Sequence, residues 1–196
     1  MTMLKSNSRV LICGKTGSGK TYLVKTLVPK YPRVLFFDPK CENSDIKGFK
    51  TSSLREVKYQ MNQKKFTIIY QPENFDRDLW NQLCGLVFSS GNMTLIMDET
   101  ERLVTPRVES NHEKIIRMGR SRGIGVIHLV QRPTYLDNYI LSEAEFYFVF
   151  QLNLESDKKK IKGVIGDFDA LDNIPQYHYM FYDVIENKPR ICKPIK

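Results

Sequence analysis

The sequence predicts an α/β fold built on a mostly parallel, doubly wound sheet flanked by helices, and three observations carry that prediction. Short apolar runs recur along the chain, among them Val10 to Ile12, Val34 to Phe37, Phe66 to Tyr70, Thr94 to Met97, Gly125 to Val130 and Phe146 to Phe150. They are continuous rather than alternating, which is the pattern of strands covered on both faces. Stretches with helical spacing fall between them, and strands alternating with helices build parallel crossover units.

Each element has a local reason. Val10 to Ile12 is followed at once by a glycine-rich turn, and then Leu23, Val24, Leu27 and Val28 share one helical stripe that Pro29 stops. Val34 to Phe37 ends at Asp38-Pro39, and the polar stretch from Lys40 to Ser53 reads as loop before a weak helix from Leu54 to Met61. After Phe66 to Tyr70 comes the clearest helix, capped by Asn74 or Asp76, with Leu79, Trp80, Leu83, Leu86 and Val87 as its apolar face. Thr94 to Met97 ends on two carboxylates, residues 100–111 read as a loop holding Thr105-Pro106, and a helix follows over His112 to Gly119. His128, inside the strand from Gly125 to Val130, reads as a satisfied core histidine, and Lys158-Lys159-Lys160 as the solvated face of a helix. Tyr177 to Val184 and Pro189 to Ile195 flank Glu186-Asn187-Lys188 and read as a terminal β-hairpin, over about residues 176–196.

A length of 196 residues suits one domain with a real core, and 41% hydrophobic with 27% charged residues excludes a disordered or collagen-like chain. No apolar run approaches the roughly 18 residues of a membrane span; the longest, Ala144 to Phe150, contains Glu145. The basic segment Met1 to Arg9 runs straight into the first strand without a signal-peptide core, so neither secretion nor membrane insertion is expected. Cys13, Cys41, Cys84 and Cys192 form no CxxC pair, which argues for reduced thiols over a disulfide framework or a zinc site. Thirty Lys and Arg against 22 Asp and Glu leave a net charge of +8, a hint of a polyanionic partner.

The chemistry starts at Gly14-Lys15-Thr16-Gly17-Ser18-Gly19-Lys20-Thr21, which fits G-x-x-x-x-G-K-[ST] in full. Glycines let the backbone turn tightly enough for successive N–H groups to point at a phosphate, and the following helix adds its positive end. In such a loop the lysine, here Lys20, reaches the β- and γ-phosphates and the hydroxyl, here Thr21, ligates Mg²⁺. An apolar strand precedes the motif and an amphipathic helix follows it, the context the motif requires. The expected ligands are ATP and Mg²⁺.

Leu95-Ile96-Met97-Asp98-Glu99 is an apolar strand ending in Asp-Glu, at the strand end where ligands bind in a parallel sheet. Asp98 is expected to hold Mg²⁺ through water, and Glu99 to polarise an attacking water, which favours hydrolysis over phosphoryl transfer to a metabolite. Asn187-Lys188-Pro189-Arg190 lacks the Asp of the guanine-reading NKxD motif, and no LSGGQ signature is present, so adenine is inferred by default. Gln131, after the strand ending at Val130, is placed to sense a γ-phosphate; on its own a polar residue there is more often a loop hydrogen-bonder. Arg117, Arg120 and Arg122 cluster just before that strand, with Ile115 and Ile116 turned inward, and read either as a solvated face or as an arginine finger for a neighbouring subunit.

The order of these motifs resembles the HerA–FtsK superfamily of RecA-like P-loop ATPases, and within it the small packaging ATPases of double-stranded DNA viruses with an internal membrane, including those of turreted archaeal viruses. The resemblance is carried by GKTGSGKT (14–21), LIMDE (95–99), GRSRGIGVIHLVQRP (119–133) and the ending QYHYMFYDV…PRICKPI (176–195), and so spans nearly the whole chain. It implies a homo-oligomeric ring, hexameric in the family's manner, that couples ATP hydrolysis to moving double-stranded DNA into a preformed capsid in the infected host cell, with capsid vertex proteins as partners. It makes Gln131 the γ-phosphate sensor and Arg120 the best match to the superfamily arginine, with Arg117 and Arg122 as rivals. The lack of a membrane anchor, a DNA-orienting domain and a nuclease module favours a viral motor over a cellular pump. The alternatives are a filamentous-phage assembly ATPase, a nucleotide-binding scaffold with little hydrolysis, and a small-molecule kinase; the Asp98-Glu99 pair disfavours the last two.

Overall fold

In the computed structural model, which describes residues 4–74, 77–104, 108–166 and 168–195, nine strands among the described residues form one sheet. The strands are β1 (Arg9–Cys13), β2 (Arg33–Phe37), β3 (Phe49–Thr51), β4 (Phe66–Tyr70), β5 (Met93–Met97), β6 (Ile124–Val130), β7 (Phe146–Val149), β8 (Tyr179–Asp183) and β9 (Arg190–Cys192). Their order across the sheet is β3-β4-β2-β5-β6-β1-β7-β8-β9; pairing is parallel from β3 through β7 and antiparallel for β7–β8 and β8–β9. The mostly parallel sheet and the terminal hairpin are thus as the sequence predicts.

Seven α-helices among the described residues connect the strands: α1 (Lys20–Leu27), α2 (Leu54–Gln60), α3 (Arg77–Ser90), α4 (Thr100–Val104), α5 (Ser110–Met118), α6 (Asn138–Glu143) and α7 (Glu155–Ile165). No described helix is long and apolar enough to cross a membrane. The period of two along each strand divides the core in two. Leu11, Cys13, Leu35, Leu95, Met97 and Val126 face the larger cluster, which takes Val57, Trp80, Leu83, Ile115, Ile140 and Ile161 from α2, α3, α5, α6 and α7. Val10, Ile12, Val34, Ile96, Ile127 and Leu129 face the smaller one, covered by Leu23, Val24 and Leu27 of α1. The winding is therefore lopsided: α1 is the one α-helix among the described residues that supplies the second face.

Two stretches expected as loop are structured. Phe49–Thr51 adds at the sheet edge in register with Ile68 to Tyr70; an edge strand tolerates polar residues, and Lys50 there blunts the open edge. Thr100–Val104 forms a single helical turn that buries Leu103 and Val104, too short for any periodicity to show. The expected caps of α3 divide: Asn74 is exposed ahead of the helix, while Asp76, like Thr105-Pro106, lies outside the described residues. Lys158 departs from a merely solvated face, since its side chain is 13% exposed and pairs with Glu155 at 2.7 Å.

The core also holds polar groups. His112 of α5 and His128 of β6 are both buried with ring centroids 5.8 Å apart, and Trp80 meets His112 edge-on at 5.2 Å. Both ring nitrogens of His112, Nε2 of His128 and Nε1 of Trp80 have no hydrogen-bond partner among the described residues. His128 is a core histidine as expected, but not a satisfied one. Burial pushes the His112 imidazole down to about 3, and burial and then the neighbouring His112 push His128 below its ordinary value. The unfolded chain therefore takes up these protons near pH 6.5, before the folded one does. Stability is fully present above pH 6.5 and falls below it, by up to about 1.4 kcal/mol per pH unit for each imidazole. Urea midpoints measured from pH 7.5 down to 5 are expected to decline, and less steeply in His112→Phe; a flat profile for the unaltered protein would contradict this.

Candidate functional site

Parallel pairing brings the C-terminal ends of β1, β2, β5, β6 and β7 to one edge, with Cys13 opposite both Val130 and Val149, and Met97 opposite Phe37 and His128. Every loop that leaves these strands starts at that edge, which is where a doubly wound sheet opens a crevice. The first such loop is Gly14 to Gly19. It is stitched between the two neighbouring strands, since the Gly14 N–H donates to Val130 O at 3.1 Å and the Lys15 N–H to Gln151 O at 2.8 Å.

The glycines of the loop answer to different demands. A Cβ on Gly14 would lie 2.6 Å from Phe150 Cβ and 2.8 Å from Ser18 Oγ, so the backbone here has no room for a side chain. Gly17 and Gly19 have φ of +73° and +110°, which L side chains rarely adopt. Lys20 is buried at the start of α1, and its Nζ donates to the carbonyls of Gly14 at 2.7 Å and Lys15 at 3.0 Å, so the ammonium lies within the turn of the loop. Burial lowers its pKa. Ser18 Oγ is buried with no partner among the described residues, and Thr21 is half-exposed in the first turn of α1.

Asp98 and Glu99 follow β5 at the same edge. Asp98 Oδ1 accepts from the Glu99 N–H at 2.9 Å, and burial raises its pKa, with Asp38 among the like charges that add to the effect. Glu99 is buried with φ of +51°, and its carboxylate is held by Lys40 on one oxygen and by Arg102 Nη1 at 3.0 Å on the other. Burial pushes the Glu99 carboxyl up, but the bonds from Lys40 and Arg102 outweigh it and hold the group below its usual value. The pair thus combines one carboxylate whose pKa burial raises with one that two cations hold below its usual value.

Gln131 completes the edge. Its Oε1 accepts from Thr16 Oγ1 at 3.0 Å, which joins the end of β6 to the phosphate loop, and its N–H donates to Glu101 Oε1 at 3.0 Å. Arg132 beside it donates through Nε to the buried Asp157 at 2.8 Å, and Asp157 also receives the Thr134 N–H at 3.0 Å and hydroxyl at 2.7 Å. The turn that carries Gln131 is therefore clamped from both sides.

The three arginines lie elsewhere. They belong to the end of α5 and the 3₁₀ turn Gly119–Arg122, ahead of the N-terminus of β6. The seven residues of β6 span roughly 20 Å, which separates this turn from the phosphate loop of the same chain. Arg120 is exposed and pairs with Glu145 at 2.9 Å, and Arg117 pairs with Glu113 at 3.0 Å. Arg122 is committed to the fold: its Nε donates to Phe88 O at 2.6 Å, its Nη2 to Ser89 O at 3.1 Å, and its guanidinium lies over the Phe88 ring.

No family model matches the chain. Over 205 residues it is 25% identical to the DNA packaging ATPase P9 of Enterobacteria phage PRD1, an alignment that covers 98% of this chain and 89% of P9. The chain is a homologue of P9. Its fold is also that of the genome packaging NTPase B204 from Sulfolobus turreted icosahedral virus 2, solved in complex with ATP-gammaS, with a TM-score of 0.84 at 22% identity over 98% of this chain and 100% of that one. The DNA-packaging ATPase B204 from Sulfolobus turreted icosahedral virus matches with a TM-score of 0.79 at 24% identity, again over 98% and 100% of the two chains.

Around the motif residues stand groups that sequence reasoning missed. Lys40 and Arg102 hold Glu99, and Glu101 ties α4 to the Gln131 turn while its Oε2 stays buried without a partner among the described residues. Asp38, fully buried at the end of β2, accepts from Asn43 Nδ2 at 2.9 Å and from Gln71 Nε2 at 2.8 Å. Asp38 could have been suspected as a polar residue ending an apolar run; nothing local marks Lys40, which lies at the head of a stretch read as loop. The loop geometry itself is testable. Gly14→Ala is expected to cost roughly 1–3 kcal/mol in denaturant unfolding, as overpacking does. Gly17→Ala, whose Cβ meets nothing within 4 Å, should cost less, through backbone strain alone. Equal losses would mean that the contact with Phe150 does not constrain the loop.

Proposed function

We propose that the chain is an ATP-hydrolysing motor that packages double-stranded viral DNA into a preformed capsid. The observation that carries this reading is the homology to a DNA packaging ATPase over 98% of the chain, and the groups gathered at the sheet edge suit it. The Lys20 ammonium already rests on loop carbonyls, where a polyphosphate would draw it outward. The buried, unpartnered Ser18 Oγ and the loop with no space for a Gly14 side chain fit a bound phosphate. Thr21 and Asp98 would hold Mg²⁺, since one or two protein oxygens plus substrate phosphates are the usual set for this ion. When bound, the metal neutralises charge on the β- and γ-phosphates.

In the reaction, Glu99 takes a proton from water, the water oxygen bonds to the γ-phosphorus, and the bond to the β-phosphate oxygen breaks with its electron pair leaving on ADP. Glu99 must first be freed from at least one of Lys40 and Arg102. Gln131, bonded to Thr16 of the loop, reads the γ-phosphate and orients the water. Arg120, exposed at the opposite end of the sheet, serves the site of the next subunit in a ring, proposed as hexameric, and Arg117 is its rival; Arg122, bound to the backbone of α3, is the weakest candidate. An arginine supplied in this way is worth roughly 10³–10⁵ in rate. The +8 charge suits duplex DNA, and capsid vertex proteins in the infected cell complete the list of partners.

The deciding experiment is ATPase activity with and without duplex DNA, read beside oligomer size. Stimulation by DNA in a ring is expected, with DNA affinity that falls steeply with salt and ignores sequence; an unstimulated monomeric ATPase would overturn the motor. Glu99→Gln should keep ATP binding and lose turnover, and unchanged turnover would remove Glu99 as the base. Arg120→Ala should lose turnover in the assembled protein without losing stability, whereas Arg122→Ala should lower the unfolding midpoint; the reverse pattern would exchange their roles.

A further inference from the structure

Arg120 lies ahead of β6 and Gln131 after it, so the two groups stand at opposite ends of the sheet, and exposed apolar side chains gather beside each. At the first end Glu145 joins three elements. Its Oε1 pairs with Arg120 at 2.9 Å, its Oε2 accepts the Arg9 N–H at 3.1 Å, and its carbonyl accepts the Val184 N–H at 3.1 Å. Arg120 and the turn after β8 are thereby linked through one residue. Met118, Val184 and Ile185 are exposed here, and Ile185, at 91%, is the most exposed large apolar side chain among the described residues. Such turns are normally polar. This one is also firmly built: buried Asp183 accepts the Ile185 N–H on Oδ1 and the Asn187 N–H on its carbonyl, both at 2.9 Å, and the Tyr182 hydroxyl donates to Asn187 Oδ1 at 2.8 Å. An isoleucine held outward on a fixed turn loses little further freedom when a partner covers it.

The Gln131 end has its own pair. Tyr135, in the 3₁₀ turn Pro133–Tyr135, is 55% exposed, and Leu154, at the N-cap position of α7, is 44% exposed. Asp157 ties them to the sensor turn: it accepts from Arg132 and Thr134, and its own N–H donates to Leu154 O at 3.1 Å. Exposed apolar residues scattered singly need no explanation. Here two different groups stand at opposite ends of the same strands, one beside the arginine and one beside the phosphate site. A head-to-tail contact between identical subunits needs two unlike surfaces of this kind, whereas a two-fold contact uses one surface twice. The charges agree, with a guanidinium at one end and a triphosphate loop at the other.

We propose that Met118, Val184 and Ile185 are the apolar anchor by which one copy of the chain docks head-to-tail on the next, against its Tyr135 and Leu154. The proposal rests on the reading of Arg120 as serving the neighbouring subunit's site. In this arrangement the apolar contact excludes water and supplies the affinity, as the buried centre of an interface does, and Glu145 keeps Arg120 in register with the anchor.

The test is oligomer size by light scattering over a concentration series, with ATP and duplex DNA present, for the full chain, Ile185→Asp and Leu154→Asp. Neither substitution threatens the fold, since Ile185 is almost wholly in solvent and Asp is favoured at an N-cap. Each variant is expected to need at least about tenfold more protein to assemble, with an unchanged unfolding midpoint and an unchanged dissociation constant for ATP. Mixed where each alone is monomeric, the two should form dimers and stop there, because one intact anchor meets one intact receiving face. Unchanged assembly in Ile185→Asp would overturn the anchor, and in Leu154→Asp the receiving face, while leaving the motor standing. A mixture that stayed monomeric would overturn the head-to-tail pairing. If the unaltered chain stayed monomeric at every concentration, the ring itself would fall, and this proposal with it.

Discussion

The backbone contact between Gly14 and the strands on either side of it governs the arrangement of the whole site. The Gly14 N–H is bonded to the end of β6 and the Lys15 N–H to the residue chain just after β7, while the missing Cβ lets Phe150 close against the loop. The loop is therefore a continuation of the sheet rather than an appendage to it. Its register relative to Gln131, which follows β6, and to Phe150, which follows β7, is set by the same ladder that pairs Cys13 with Val130 and Val149.

Two polar chains lie along the same edge of the sheet. One passes from Thr16 through Gln131 to Glu101 on α4, a helix that begins directly after Glu99. The other passes from Asp98 and Glu99 to Lys40, Asn43 and Asp38 beyond β2. Glu99 belongs to the second, in a left-handed backbone conformation and between two cations. The pairing with Lys40 and Arg102 that holds its pKa below the usual value also keeps it occupied.

Much of this was legible because it is local. Strand positions followed from continuous apolar runs, and the phosphate loop from residue types that its turn and its chemistry require at fixed spacing. Asp98, Glu99 and Gln131 were found by the same token, as polar residues at the ends of apolar strands. What escaped was either too short or too distant. Phe49–Thr51 and Thr100–Val104 have too few residues for a period, and β3 is an edge strand with little to bury. Lys40, Arg102 and Glu101 acquire meaning only from partners that β-sheet pairing brings to them. His128 shows the converse: burial was readable from its neighbours in the strand, while its surroundings depend on α5 setting His112 beside it and on α3 setting Trp80 against His112.

The sequence by itself determined the α/β class, the phosphate loop, the paired carboxylates and the viral packaging resemblance. These depend on spacing along the chain, and hydrophobic periodicity and turn chemistry act over a few residues at a time. Tertiary structure alone decided that Glu99 is held by Lys40, that Arg120 and the phosphate loop lie at opposite ends of the sheet, and that Glu145 joins Arg120 to the turn after β8. Each is a meeting of residues far apart in the chain, fixed by strand order and register rather than by any local preference. The net charge of +8 belongs to the composition; which arginine makes a surface ion pair and which is bound to the backbone of the fold belongs to the packing.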